Sequence, residues 1–362
     1  MTKLKFTNIA LVLSVLFICS SFSNAQEELP VTAYLAGTSV EDICGDGKNV
    51  WVATNGSGIF QYSIKENKWT SYSTSKNNLQ NDFIYSIAAN DKYVWAGSID
   101  GLMILDKRSN RWMKRKFAKG GQLSNWIRSL AFDPSSNLLW IGRFKYLTKY
   151  DIDKRKFTDY DLTTGGDEKT NTIKSIQVDG DSLVWFGTEA GLHKYDKYRD
   201  LDEKGAVVFY DNRLNFFRGE GDEVSISSIL FEQGNVWIGL DEFVTESNPN
   251  YNLGGLYKFD RRNDWKRFDG ESGFAANGIY DVERTGNFLW VSLYQFGGKT
   301  KDLYGRGLAL VNIINDKVQM IYDDRIPNTI KTLFFDGTNM WLGSDSGVIK
   351  IELINQLALW QK

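Results

Sequence analysis

Aromatic and basic side chains crowd three irregular stretches of this sequence. Asn125, Trp126 and Arg128 precede the run Arg143-Phe144-Lys145-Tyr146. Glu242, Phe243 and Tyr251 form a second group, and Tyr294, Gln295, Phe296, Lys299, Lys301, Tyr304 and Arg306 a third. Aromatic faces stack on sugar rings and amide planes, while Arg and Lys hold carboxylate or sulfate groups. The residues expected to bind a ligand are Trp126, Arg128, Arg143, Tyr146, Tyr294, Phe296, Tyr304 and Arg306. The competing reading is that these aromatics pack their own long loops. Catalytic material is scarce. His193 is the sole histidine, so a zinc site or a histidine-dependent triad lacks its parts. Paired carboxylates for glycoside hydrolysis stay open among 45 acids, with nothing to pick out a pair. The recurring hairpin acids, such as Asp151 with Asp153, do not form a calcium loop. No catalytic residue, metal or cofactor is expected.

Positioning these groups falls to a repeated unit. Trp51, Trp95, Trp140, Trp185, Trp237, Trp290 and Trp341 stand 44 to 53 residues apart. Each opens a short β-branched and aromatic run, as in Val184-Trp185-Phe186-Gly187-Thr188, followed by a turn glycine and a second alternating run such as Leu192–Tyr195. An innermost strand of the rhythm apolar, variable, small, apolar precedes each Trp: Val40–Ile43, Ile84–Ile87, Ile127–Leu130, Ile173–Ile176, Ile226–Ile229, Ile279–Val282 and Ile330–Leu333. An outer strand carries Trp69, Trp112, Phe157 or Trp265. One such unit cannot bury its own face, so the copies must stack. Seven four-stranded sheets closed into a ring leave no long exposed edge. The expected fold is all-β, a seven-bladed β-propeller of four-stranded antiparallel blades, without helices. Either Val31–Leu35 or Leu357–Gln361 supplies the last outer strand. Blade 3 lacks its turn glycine, and blades 5 and 6 carry insertions before Gly255 and Gly307. Asn81, Asn125, Asn171, Asn277 and Asn328 recur before the inner strands and read chiefly as turn residues.

The first 25 residues read as a secretory signal peptide. Lys3 and Lys5 precede the apolar run Ile9–Cys19, and Ser23-Asn24-Ala25 suits cleavage before Gln26; Ile18 before Cys19 argues against a lipoprotein signal. Residues 26–362 are then the propeller, without a later apolar run long enough to span a membrane. The net charge of −2 becomes −4 once Lys3 and Lys5 are removed, which disfavours nucleic acid as a partner. Cys44 is left as the single cysteine, so no intrachain disulfide is expected.

The copies Val50–Tyr62, Val94–Asp106, Val184–Asp196 and Met340–Ile351, with their Ile-x-Ser-Ile-like strands and the approaches Leu79-Gln80-Asn81 and Leu123-Ser124-Asn125, resemble two-component-regulator propeller repeats. The resemblance covers nearly all of the chain after the signal. It implies the periplasmic sensing part of hybrid histidine kinases, found chiefly in Bacteroidetes, where such propellers help to recognise glycan fragments. The length leaves room for one propeller. Seven-bladed secreted lyases, including the virginiamycin B lyase type, share this architecture but need histidines near the channel mouth. The expected role is a non-enzymatic module in the periplasm or at the cell surface that binds an oligosaccharide or a protein. The alternatives are a histidine-poor polysaccharide lyase or hydrolase, and an assembly subunit of a surface-secretion machinery.

Overall fold

The structure, a computed structural model, describes residues 29–76, 78–232, 234–297 and 303–353. The signal peptide expected at residues 1–25, Lys299, Lys301 and the strand expected at Leu357–Gln361 lie outside the described residues. Seven antiparallel sheets of four strands follow one another around a ring. Blade 1 runs from its inner strand Val40–Gly45 through Asn49–Thr54 and Ile59–Ser63 to the outer Lys68–Tyr72. Blade 7 is built from Ile330–Phe335, Asn339–Ser344 and Gly347–Glu352, and the first strand of the chain, Val31–Tyr34, completes it. Val31 faces Ile351 and Tyr34 faces Val348 in that closing pair.

The seven tryptophans sit in second strands and are at most 1% exposed. Each fills the gap to the next blade: Trp51 packs with Ile84, Val94 and Met103, and Trp95 with Ile127, Leu139 and Ile141. An indole burying ~200 Å² contributes roughly 5 kcal/mol before entropy, so these anchors outweigh any single hydrogen bond in the ring. Most indole N–H groups also donate to the turn before their own strand, Trp51 to Asp46 at 2.9 Å, Trp290 to Thr285 and Trp341 to Asp336 at 2.7 Å. The small residue two positions after the indole has a steric purpose. A Cβ on Gly187 would stand 2.6 Å from Cγ2 of Ile226 in blade 5.

Every inner strand carries a β-bulge at its variable position. The register breaks between Val40 and Asp42, Ile84 and Ser86, Ile127 and Ser129, Ile173 and Ser175, Ile226 and Ser228, Ile279 and Asp281, and Ile330 and Thr332. Glu41, Tyr85, Arg128, Lys174, Ser227, Tyr280 and Lys331 are therefore the extra residues, re-aimed by the bulge. Short 3-10 turns lie on the links from one blade to the next at Thr74–Lys76, Gln122–Asn125, Glu168–Asn171 and Gly270–Ser272, and an irregular turn with left-handed residues occupies Arg213–Gly219. At the opposite face, basic residues after the third strands reach back one blade. Lys107 pairs with Asp46, Lys197 with Asp133 at 2.8 Å, and Arg261 with Asp179 at 2.6 Å.

Candidate functional site

The turns between second and third strands share one face with the blade-to-blade links, here called the upper face. In blades 1, 2, 4 and 7 a hydroxyl closes the turn: Thr54, Ser98, Thr188 and Ser344 donate to the carbonyls of Gly58, Gly101, Gly191 and Gly347 at 2.7–2.9 Å. Blade 3 departs from this. Arg143 stands where the hydroxyl belongs, and Tyr146 occupies the glycine position with φ 79°, a conformation L side chains rarely adopt.

Arg143 has no exposed surface. Its guanidinium lies 4.7 Å from the Phe117 ring centre and 5.6 Å from that of Tyr146, donates to the carbonyls of Ser124 and Lys119 at 3.3 and 3.4 Å, and sits 2.9 Å from Asp159 Oδ1. Burial lowers its pKa, and Asp159 works against that. This arginine braces the link Phe117–Trp126 from inside the wall and does not reach the surface. Tyr146 is half-buried beside it, with the Lys119 ammonium 4.5 Å from its ring centre.

Trp126 and Phe144 lie closer to the axis. Their rings are parallel, 5.5 Å apart with planes 2° off, and Phe144 N–H donates to the Trp126 carbonyl at 2.9 Å. The Arg128 guanidinium covers both, 5.4 Å from Trp126 and 6.0 Å from Phe144, and pairs with Glu189 at 2.5 Å. Tyr85 of blade 2 reaches Trp126 at 5.7 Å. Around the same upper end of the channel, Lys174 pairs with Asp241, and Lys331 with Glu41 at 2.6 Å. Tyr280 packs on Tyr294 at 4.4 Å. Burial raises the Tyr280 hydroxyl, and the charges of Asp345 and Glu41 add to it. Burial raises Tyr85 as well, again helped by Glu41. The seven bulges thus build a mouth of aromatics in which each of the three bases has its own acid.

The third group divides. Tyr294 is 3% exposed; its hydroxyl donates to Asp241 at 3.0 Å and accepts the Glu242 N–H at 3.1 Å. It supports the mouth from behind without opening to solvent. Phe296 of blade 6 packs on Phe243 of blade 5 at 4.4 Å, and Phe243 meets Tyr251 at 5.7 Å, so these aromatics tie the two neighbouring hairpins to each other. Tyr304, 54% exposed, and Arg306, bound to Gln295 at 2.6 Å, point outward, on the tall blade-6 hairpin formed by Phe288–Phe296 and Leu303–Asn312. The insertions in blades 5 and 6 include strand extensions, with Phe243 facing Asn252 and Gln295 facing Tyr304.

Over blade 4, between the links that enter and leave it, Lys169 donates to Glu223 at 2.7 Å and to the Tyr251 hydroxyl at 2.6 Å, beside a cavity of about 260 Å³ lined by Thr164, Asp167, Phe209, Arg213 and Glu223. A larger axial cavity of about 620 Å³ lies toward the lower face, among Asp42, Ile87, Leu130, Gln177 and Phe334. The asparagines before the inner strands are local ties. Asn125 binds both backbone polar groups of Phe117, and Asn171 accepts the Leu162 N–H at 3.0 Å. His193 is 1% exposed inside blade 4, with Nε2 2.8 Å from the Thr170 carbonyl; burial lowers it to about 4 and keeps it neutral. Among the described residues no group of three His, Cys, Asp or Glu side chains could hold a metal ion, and no helix is long and apolar enough to cross a membrane.

Tyr85, Phe144, Tyr280, Lys174 and their acids were absent from the expected ligand-binding set. The variable slot of the inner-strand rhythm was the signal that marks most of them.

No family model matches the chain. Over 178 residues, 46% of its length, it is 24% identical to histidine kinase P4 of Formosa agariphila, and the match spans 13% of that kinase. The extracellular domain of a putative hybrid two-component system from B. thetaiotaomicron superposes with a TM-score of 0.65 at 21% identity, over 89% of this chain and 40% of that one. Virginiamycin B lyase from Staphylococcus aureus gives a TM-score of 0.66 at 12% identity, over 90% of this chain and all of the lyase. The shared feature is the seven-bladed fold, common to a sensor ectodomain and an enzyme.

Proposed function

We propose that the protein is an exported, non-enzymatic binding propeller whose upper mouth holds an uncharged oligosaccharide. The parallel pair Trp126 and Phe144, half-buried at the channel end and covered on one side by Arg128, carries this reading. An aromatic platform stacks on the apolar face of a sugar ring, and neighbouring polar groups fix its orientation. Charge decides the ligand class. Arg128, Lys174 and Lys331 are each neutralised by Glu189, Asp241 and Glu41, so a carboxylate or sulfate would have to displace an existing partner. Likeness to sensor ectodomains and the leader pattern at residues 1–25 support a place outside the cytoplasm.

The test is an array of neutral and acidic oligosaccharides probed with the wild type and with Trp126→Ala/Phe144→Ala. Binding of a neutral sugar should weaken at least about tenfold in the variant, roughly 1.4 kcal/mol, with little change in Tm. Unchanged binding would remove the mouth from consideration. N-terminal sequencing of the exported protein should start at Gln26.

A second reading is protein docking. Phe83, Ile99 and Leu123, 50%, 48% and 56% exposed, lie on upper-face connections of blades 1 to 3 beside the mouth. Phe83→Ser/Ile99→Ser/Leu123→Ser would then abolish capture of a partner while sparing sugar binding.

A further inference from the structure

Between Lys107 and Lys119 the chain carries seven basic residues and no acid. This run spans the outer hairpin of blade 2, including its outer strand Arg111–Arg115. Lys107 is spent on Asp46, and Lys114 and Lys116 on Asp100. Arg108, Arg111 and Arg115 are exposed and have no acidic partner among the described residues. Most arginines elsewhere in the chain do, as Arg128, Arg199, Arg261 and Arg267 illustrate.

Strand alternation fixes where they point. Met113 pairs with Ile104, which pairs with Trp95, and that face packs against Leu139 and Ile141 of blade 3. Arg111 and Arg115 share the Met113 face, roughly 13 Å apart along the strand. Met113 is 55% exposed, so the packed core ends there and the gap between blades 2 and 3 opens to solvent. The far side of the gap is the parallel pair Tyr150 and Phe157, 4.0 Å apart, with the Arg115 guanidinium 4.9 Å from the Phe157 ring centre. Arg155, also exposed and without an acidic partner among the described residues, tips the outer hairpin of blade 3.

We infer that this furrow between the outer edges of blades 2 and 3 binds a linear acidic polysaccharide, its carboxylate or sulfate groups held by Arg111, Arg115, Arg155 and Arg108. Guanidinium forks match such groups in a two-point geometry that ammonium groups do not offer. The bases follow a line along a strand, which suits a repeating polyanion. Neither the axial cavity nor the one over blade 4 extends into the furrow. The surface is separate from the neutral mouth and stands whether or not the mouth binds sugar.

The experiment uses the full chain with dextran sulfate and polygalacturonate as probes, and neutral dextran and poly-glutamate as controls. Binding is expected to both acidic glycans, to weaken with salt, and to be absent for dextran. Arg111→Gln/Arg115→Gln/Arg155→Gln should lower affinity at least about tenfold with an unchanged far-ultraviolet spectrum and Tm. Lys65→Gln/Lys68→Gln/Lys92→Gln, which removes equal charge elsewhere, should not. Equal loss in both variants would overturn the site in favour of bulk charge. Poly-glutamate binding as tightly as the glycans would overturn the glycan assignment.

Discussion

Asp42 of blade 1 accepts the backbone N–H of Ile87 in blade 2 at 2.8 Å, so a side chain on one inner strand holds the main chain of the next. Asp281 does the same for Leu333 of blade 7, also at 2.8 Å. Both carboxyls stand on inner strands, and Asp42 lines the axial cavity.

Burial pushes Asp42 up to about 7, against the hydrogen bonds from Ile87 and Ile43 and with a further push from Asp281 and Glu41; burial likewise takes Glu283 to about 7. The native state therefore keeps protons that the unfolded chain has released above its ordinary carboxylate range. Their contribution is complete below that range and is lost as pH rises through about 7. Tm should fall between about pH 5 and pH 8, and Asp42→Asn should flatten the slope. Identical slopes for the two proteins would exclude this carboxyl as a source.

Asp46 behaves in the opposite sense. Burial alone would raise it, yet Lys107, the Trp51 indole, the Lys48 N–H and Asn49 together hold it at about 2. Its contribution is present above the ordinary carboxylate range and disappears as pH falls through about 2. Lys107→Met leaves the carboxylate in a dry turn without its cation, and about 3 kcal/mol should be lost at neutral pH. Denaturant titrations should show that difference shrinking toward pH 2.

Gly187→Ala places a methyl group against Ile226 of the adjoining blade. The backbone on both sides is fixed in ladders, so the cost should be about 2 kcal/mol. A change below about 0.5 kcal/mol in equilibrium unfolding would show that the blades yield there.

Tyr146 separates backbone from side-chain effects. Tyr146→Gly and Tyr146→Ala both delete the ring beside Arg143, but only alanine keeps the unfavourable φ of 79°. The alanine variant should be less stable than the glycine variant by about 1 kcal/mol. Equal stabilities would mean that the backbone relaxes.

The ring was legible because its anchors are chemically distinctive. Indoles at a steady spacing, each followed by a residue with little or no side chain, leave few alternatives to stacked sheets. The arrangement at the mouth was harder to read. Spacing cannot tell a loop from a longer hairpin, so Tyr294 read as a rim residue although it pairs with Gly278 and Gly305 in the ladders. Arg143 misled for a different reason. An arginine in a turn is ordinarily solvated, and only the absence of its hydroxyl-bearing counterpart signalled that it had become an interior brace. Tyr85 and Tyr280 were written in the slot marked variable, because a bulge leaves no trace in hydrophobic periodicity.

Blade 7 draws Val31–Tyr34 and Gly347–Glu352 into one sheet. That sheet cannot be finished until Gly347–Glu352 has been made, so ring closure comes after the other six blades have been synthesised. A latch made from the two most distant segments also means that clipping a handful of residues ahead of Thr38 would unzip an edge and leave it open to its neighbours.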